Sequence, residues 1–302
     1  MLFRSPLLLS VRSGSAMSMP GMMSTILNVG LNEDLVNEYV EEPGQGYFAW
    51  DNYRRFLQSW AMAQGVDREE FQELMNAHKQ RYNIYLKREF SPLEMQELAL
   101  EYKKLVTNKG LEIPDDPWLQ LSKAFEMVLD SWHTTKAHEY RQLMGLSEDL
   151  GTAVIVQTMV FGNSGDNSAT GVAFTRDPST GDNKYFYGEY LINAQGEDVV
   201  AGTRTPQQIT KVGSERWAVL AGVSEDDRAK NYPSLEEIMP ELYHELFTIQ
   251  NNLEAHYKDM QDIEFTIENE KLYLLQTRTG KRTAKAAVKI SVDMVDEGLI
   301  DK

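Results

Sequence analysis

The chain has 302 residues, 42% hydrophobic and 25% charged, which is enough apolar material for a real core in a globular protein. Its 46 acids against 30 bases leave a net charge of −16. That balance excludes nucleic acid and an anionic membrane surface as partners, but not a nucleotide, whose phosphates need only a few local cations and backbone N–H groups. The absence of cysteine excludes disulfides, thiolate metal sites and cysteine nucleophiles, and no apolar run approaches the roughly 20 residues that span a bilayer.

The chain opens with Arg4 and Arg12, several serines and no acid before Glu33, a composition shared by targeting segments and by loops that meet a polyanion. Leu7-Leu8-Leu9 is too short for a secretory core, and Pro6 and Pro20 interrupt any helix. Residues 7–11 read as a short buried strand. The run from Arg12 to Met23 that follows is rich in Ser, Gly and Met and has no period, which predicts a loop whose backbone approaches something closely. Met17, Met19, Met22 and Met23 are odd in an exposed turn and predict packing on a hydrophobic neighbour.

From residue 34 to 150 the pattern is helical. Trp50, Tyr53, Leu57, Trp60 and Ala61 share one helix face. Ser91-Pro92-Leu93-Glu94 is a helix start, with Ser as cap, Pro first and Glu third. One long helix is predicted from about Trp118 to Arg141. After Gly151 the period switches to two, with strands predicted at 152–160, 170–176 and 185–193. A helix over 235–257 precedes a hairpin of Asp262–Ile267 and Lys271–Gln276, and the tail from Gly280 leads into an amphipathic helix. These elements place the chain in the α+β class.

The hairpin carries the sharpest chemistry. Alternation puts Asp262 and Glu264 on one strand face and Leu272, Leu274, Gln276 and Arg278 on one face of the return strand. With the turn centred on Asn269, Asp262 lies opposite Gln276, and a turn centred half a residue later breaks that arrangement. Two carboxylates, an amide oxygen and an arginine make either a hard-oxygen site for Mg²⁺ with bound phosphate or a polar sheet face with cross-strand pairs. Arg12 with Gly14 and Gly21 fits a phosphate loop or a plain turn. Glu197 and Asp198 follow a strand end and read as a loop presenting acids. Arg54-Arg55 reads as a surface pair with local acids or as a cationic site. The five histidines show no ligand spacing, and Ser/His/Asp, Walker and dinucleotide signatures are absent.

Several stretches together resemble the pyruvate, phosphate dikinase family. They are Ser10-Val11-Arg12-Ser13-Gly14 with Ser18-Met19-Pro20-Gly21-Met22-Met23, then Thr170 to Gly181, Gly188-Glu189 to Val199, Asp262-Ile263-Glu264-Phe265, and Leu275 to Arg282. The alternatives are a non-catalytic nucleotide-binding module and a fragment of a related phosphoenolpyruvate synthase-type dikinase, the latter disfavoured because those synthases carry a different, acid-containing loop where this chain has Met-Pro-Gly-Met-Met. The resemblance implies an ATP-grasp-like domain with a helical insertion. Its expected divisions are residues 1–33 as part of a first lobe, 34–150 as the insertion and return helices, 151–281 as the second lobe and 282–302 as the start of a linker. It implies that Arg12 contacts ATP phosphates, that Asp262, Glu264 and Gln276 hold Mg²⁺ and ATP, and that Arg278 meets the polyphosphate. It assigns Arg55, Glu197 and Asp198 to phosphoryl transfer and inorganic phosphate. The implied reaction passes a pyrophosphoryl group from ATP to a histidine on a separate domain, in a cytoplasmic, homodimeric parent enzyme. The expected chain is a fragment truncated at both ends, lacking a lysine-bearing start and the phosphohistidine domain, and inactive alone.

Overall fold

The computed structural model describes residues 7–15, 17, 19, 21–42, 44–200 and 204–301. Arg4, Pro6, Ala16, Ser18 and Pro20 of the opening segment and its loop lie outside the described residues. Two compact units divide the chain, Met1–Met159 and Val160–Lys302, and each is built on an antiparallel sheet.

In the first unit β1 (Leu9–Gly14) is the middle strand, between β2 (Thr25–Val29) and β3 (Ala153–Thr158). The strand expected at 7–11 therefore runs on through Arg12, which sits mid-sheet opposite Thr25 and Ile155 instead of heading a loop. The strand expected to open the second lobe at 152–160 pairs here with β1. Helices α1 (Glu33–Glu41), α2 (Gly46–Met62), α3 (Arg68–Tyr82) and α4 (Pro92–Asn108) follow β2. Helix α4 starts as predicted: Ser91 Oγ accepts from Glu94 N, and the Glu94 carboxylate accepts from Ser91 N. Helix α2 packs on both β2 and α4, so it is buried almost all round, through Trp50, Phe56, Leu57 and Trp60 and also through Asp51, Arg54 and Arg55.

The single helix expected from Trp118 to Arg141 is two, α5 (Pro117–Asp130) and α6 (Thr135–Met144), joined by a one-turn 3-10 segment. Hydroxyls make the break. Ser131 Oγ donates back to Val128 O at 2.6 Å and accepts from Ser24 N at 3.1 Å, and Thr134 turns extended to cap α6. This corner also receives the methionines. Met19 is buried with Trp132 and Ala137, and Met22 and Met23 pack beside them, as the composition predicts; Met17 is exposed.

The second unit has a five-stranded sheet in the order β6-β5-β4-β7-β8. Its strands are β4 (Ala169–Phe174), β5 (Tyr187–Ile192), β6 (Gln207–Gln208), β7 (Gln261–Glu268) and β8 (Lys271–Thr279). Between β5 and β7 come α7 (Gly196–Val200), α8 (Lys211–Ala221), α9 (Glu225–Asn231), α10 (Leu235–Ile238) and α11 (Pro240–Tyr257). The helix expected over 235–257 breaks at Met239, where the residue before Pro240 is driven out of helical geometry (φ −136°, ψ 60°).

One sheet face is apolar. Ala169, Ala173, Tyr190, Ile263, Phe265 and Ile267 pack there against Leu235 and Leu246. Gly171 has to be glycine in this arrangement, because a Cβ would stand 2.5 Å from the Phe265 ring and 2.6 Å from Glu189 O. The closing helix α12 (Ala284–Asp296) docks on this unit through Ala286, Ile290 and Met294 against Met260. Buried Arg176, at the end of β4, bonds Glu254 of α11 at 2.9 Å and Glu297 beyond α12 at 2.5 Å, and so ties the three elements together.

Candidate functional site

The hairpin register decides which side chains meet. Glu268 pairs with Lys271, so the turn is the two residues Asn269-Glu270, both at positive φ (48° and 62°), as a tight hairpin turn requires. That is the half-residue shift that breaks the expected arrangement. Continued regularly, it would set Glu264 opposite Leu275 and Asp262 opposite Thr277. The ladder instead shifts between Glu264 and Phe265. Phe265 pairs with Leu274, Glu264 with Gln276 and Asp262 with Arg278, and Leu275 is the extra residue of a bulge. The expected opposition of Asp262 and Gln276 is therefore corrected by one pair. The expected common face of Leu272, Leu274, Gln276 and Arg278 is divided, with the leucines across from apolar Ile267 and Phe265.

The carboxylate face is assembled all the same. Arg278 Nε donates to Asp262 Oδ2 at 2.8 Å and its Nη2 to Glu264 Oε1 at 3.1 Å. Burial opposes the charge on Arg278, but bonding to Asp262 and the charges of Asp262 and Glu264 raise its pKa further. The row extends across the sheet: Val172 faces Glu264 on one side and Glu189 on the other, and Glu189 accepts from Gln208 at 3.0 Å. These groups are half-buried, open enough to admit a ligand. Among the described residues no three His, Cys, Asp or Glu side chains converge as a metal site. A cation on this face would therefore need the Gln276 amide and a ligand's own oxygens to complete its shell, which is the habit of Mg²⁺ on nucleotides.

Glu197 and Asp198 also lie in the second unit, in the first turn of α7. Asp198 Oδ2 accepts from Gln195 N at 3.0 Å and closes the turn that starts that helix.

Arg12 and Arg55 belong to the first unit. The surface-pair reading of Arg54-Arg55 is overturned, because both are buried around an equally buried Asp51. Asp51 Oδ1 accepts from Arg54 Nε and Nη2 at 3.0 and 2.8 Å, and Oδ2 accepts from Arg55 Nε at 3.0 Å. Lys87 Nζ bonds both oxygens. Burial alone would raise the Asp51 carboxyl, but Arg55, Lys87 and Arg54 hold it well below the usual carboxylate range. The sequence reading passed over Asp51 and Lys87. Asp51 was visible as a carboxylate three and four positions before the arginines, whereas Lys87 arrives from a distant segment and left no signal.

A family profile described as "Pyruvate phosphate dikinase, AMP/ATP-binding domain" matches residues 2–299. The chain belongs to this family. Pyruvate, phosphate dikinase of Rhizobium meliloti (strain 1021) is 53% identical over 299 residues, which cover 98% of this chain and 32% of that protein. The dikinase of Clostridium symbiosum is 47% identical over 298 residues, 98% of this chain and 31% of that protein. The chloroplastic pyruvate, phosphate dikinase 1 of Arabidopsis thaliana is 47% identical over 299 residues, 98% of this chain and 28% of that protein. The chain thus spans about a third of the length of the curated dikinases it matches. Among the described residues no helix is long and apolar enough to cross a membrane.

Proposed function

We propose that this chain binds Mg-ATP for a pyruvate, phosphate dikinase reaction, in an ATP-grasp-like fold. In that reaction a pyrophosphoryl group passes from ATP to a histidine on a separate domain of the parent protein, with inorganic phosphate as second acceptor and phosphoenolpyruvate as the eventual product. A cytoplasmic, homodimeric parent accords with the family. The observation that carries the nucleotide reading is the hairpin register, which sets half-buried Asp262, Glu264 and Arg278 and exposed Gln276 on one face.

Asp262, Glu264 and the Gln276 amide oxygen are the donors for the cation. Mg²⁺, when bound, neutralises and orients the polyphosphate. Arg278 binds the two carboxylates, and its planar fork of donors would serve phosphate oxygens beside them. Arg12 and Arg55 meet phosphoryl charge, and Glu197 and Asp198 act at the transfer step.

The test is the thermal midpoint of the purified chain. It is expected to rise with Mg-ATP and to stay unchanged with ATP and excess chelator. Glu264→Gln and Gln276→Leu should abolish the rise and leave the unliganded midpoint in place. A Mg-ATP response that survives Glu264→Gln would remove the hairpin from the site.

A further inference from the structure

The described residues leave four edge strands, β2, β3, β6 and β8, and they are finished unequally. β6 is two residues long. β8 carries the Leu275 bulge, Lys271 and Arg278. β2 is bulged, with Asn28 at a φ of 58°. Shortness, bulges and charge are devices that keep an edge from pairing further. β3 has none of them. It pairs with β1 over six consecutive positions without a shift. Its sequence, Ala-Val-Ile-Val-Gln-Thr, holds no charge and no proline, and the chain is uncharged from Gly151 to Gly165. Ile155 and Val156, on opposite faces by alternation, are 47% and 45% exposed, whereas Val11, across from Val156 on β1, is fully buried. Among the described residues no strand pairs beyond β3, so half of its backbone N–H and C=O groups point away from the sheet.

We propose that β3 is a self-docking edge, at which a second copy of this chain adds its own β3 antiparallel and joins the two three-stranded sheets into one. Charge selects this occupant and this direction. The chain carries −16 overall, and Glu148 and Asp149 stand just before β3. Parallel pairing of two copies would set those acids against each other. Antiparallel pairing sets each copy's acids beyond the far end of the partner's strand, where residues 159–165 are uncharged. Each copy also offers the other the Val, Ile and Thr that favour strands. The twofold axis of such a pair stands perpendicular to the sheet and keeps each face on its own side, so the register must centre on one residue. That residue is Ile155 or Val156, which then lies opposite its own copy. Each chain has one such edge, so the assembly closes at two copies. A single strand pair is a small interface, and the dimer is weak and concentration-dependent. The pairing is independent of the nucleotide chemistry of the hairpin.

The experiment is sedimentation equilibrium of the whole chain from about 1 μM to about 1 mM. The mass is expected to rise toward twice 34.5 kDa and to stop there. Ile155→Lys and Val156→Lys should each raise the dissociation constant by about tenfold, with the larger effect at the residue on the axis, where two like charges meet. Mixed with the glutamate variant of the same position, that lysine variant should pair again, which also shows that both variants fold. The chain has no cysteine, so Ile155→Cys or Val156→Cys supplies its single thiol. The one on the axis should cross-link as a disulfide dimer under mild oxidation, and Leu220→Cys, at an exposed position of α8, should not. A mass that stays at one copy throughout overturns the proposal and leaves the edge to a strand of another polypeptide. So does growth past two copies, a dimer indifferent to both lysines, a loss that opposite charges fail to restore, or a central thiol that cross-links no better than Leu220→Cys.

Discussion

The Asp51 cluster and the Asp262–Arg278 hairpin invert each other's charges. In the first, one carboxylate is shared by Arg54, Arg55 and Lys87 on helical elements. In the second, one guanidinium is shared by Asp262 and Glu264 on strands. The cluster is sealed from water apart from Lys87, and the hairpin is half-open. A carboxylate in a sealed site depends on the cations paired with it, since water cannot take their place. A half-open pair is screened by water and can exchange its partners.

Deleting the shared group should separate the two regions most widely. Asp51→Ala strands buried guanidinium charge and is expected to cost about 3–5 kcal/mol in denaturant unfolding. Asp262→Ala, in a half-exposed pair, should cost about 1 kcal/mol or less. Equal costs would break the comparison. Acid sharpens it further. Because Asp51 is held well below its ordinary pKa, its contribution is complete above the unfolded value of about 4 and is lost as pH falls from there through the folded value. The stability difference between wild type and Asp51→Asn should be flat from neutral pH to about pH 5 and shrink at more acid pH. A difference that changes near neutrality would deny Asp51 its charge.

Gly171→Ala drives a methyl into the Phe265 ring beneath the hairpin and should cost about 1–3 kcal/mol. It should also weaken Mg-ATP binding, because β4 and β7 must part to admit it. Glu270→Gly relieves a side chain at positive φ and should gain about 0.5–1 kcal/mol without changing nucleotide affinity. A gain accompanied by lost affinity would mean that the turn, and not only the register, belongs to the site.

Alternation exposed both hairpin strands and the carboxylate face in the sequence, since the period of two survives at each side of the turn. The bulge was not legible. Nothing local distinguishes Leu275 from Leu274, and only the conflict between a two-residue turn and the polar face forces one of them out of the ladder. The surface-pair alternative for Arg54 and Arg55 arises because hydrophobic periodicity counts charge as surface, yet Asp51 pairs with both on their own helix. The break after Asp130 carries no proline or glycine, only Ser131 and Thr134, whose bonds to Ser24 and to the start of α6 are tertiary facts. Pro240, by contrast, was a signal in plain view. Arg12 was placed at a loop because β2, its partner strand, was not recognised.

The bulge at Leu275 makes the hairpin sensitive to parity. Between Glu264 and Gln276 the chain makes a regular turn and one irregular step, and the two offsets together return the functional side chains to the same face. Gain or loss of a single residue in that interval, unless the ladder absorbs it in another irregular step, would send Gln276 and Arg278 to the core side and bring apolar side chains out. Gain or loss of two would leave the face intact. Length variation in this hairpin is thus constrained to even numbers, a rule set by geometry before any chemistry is selected.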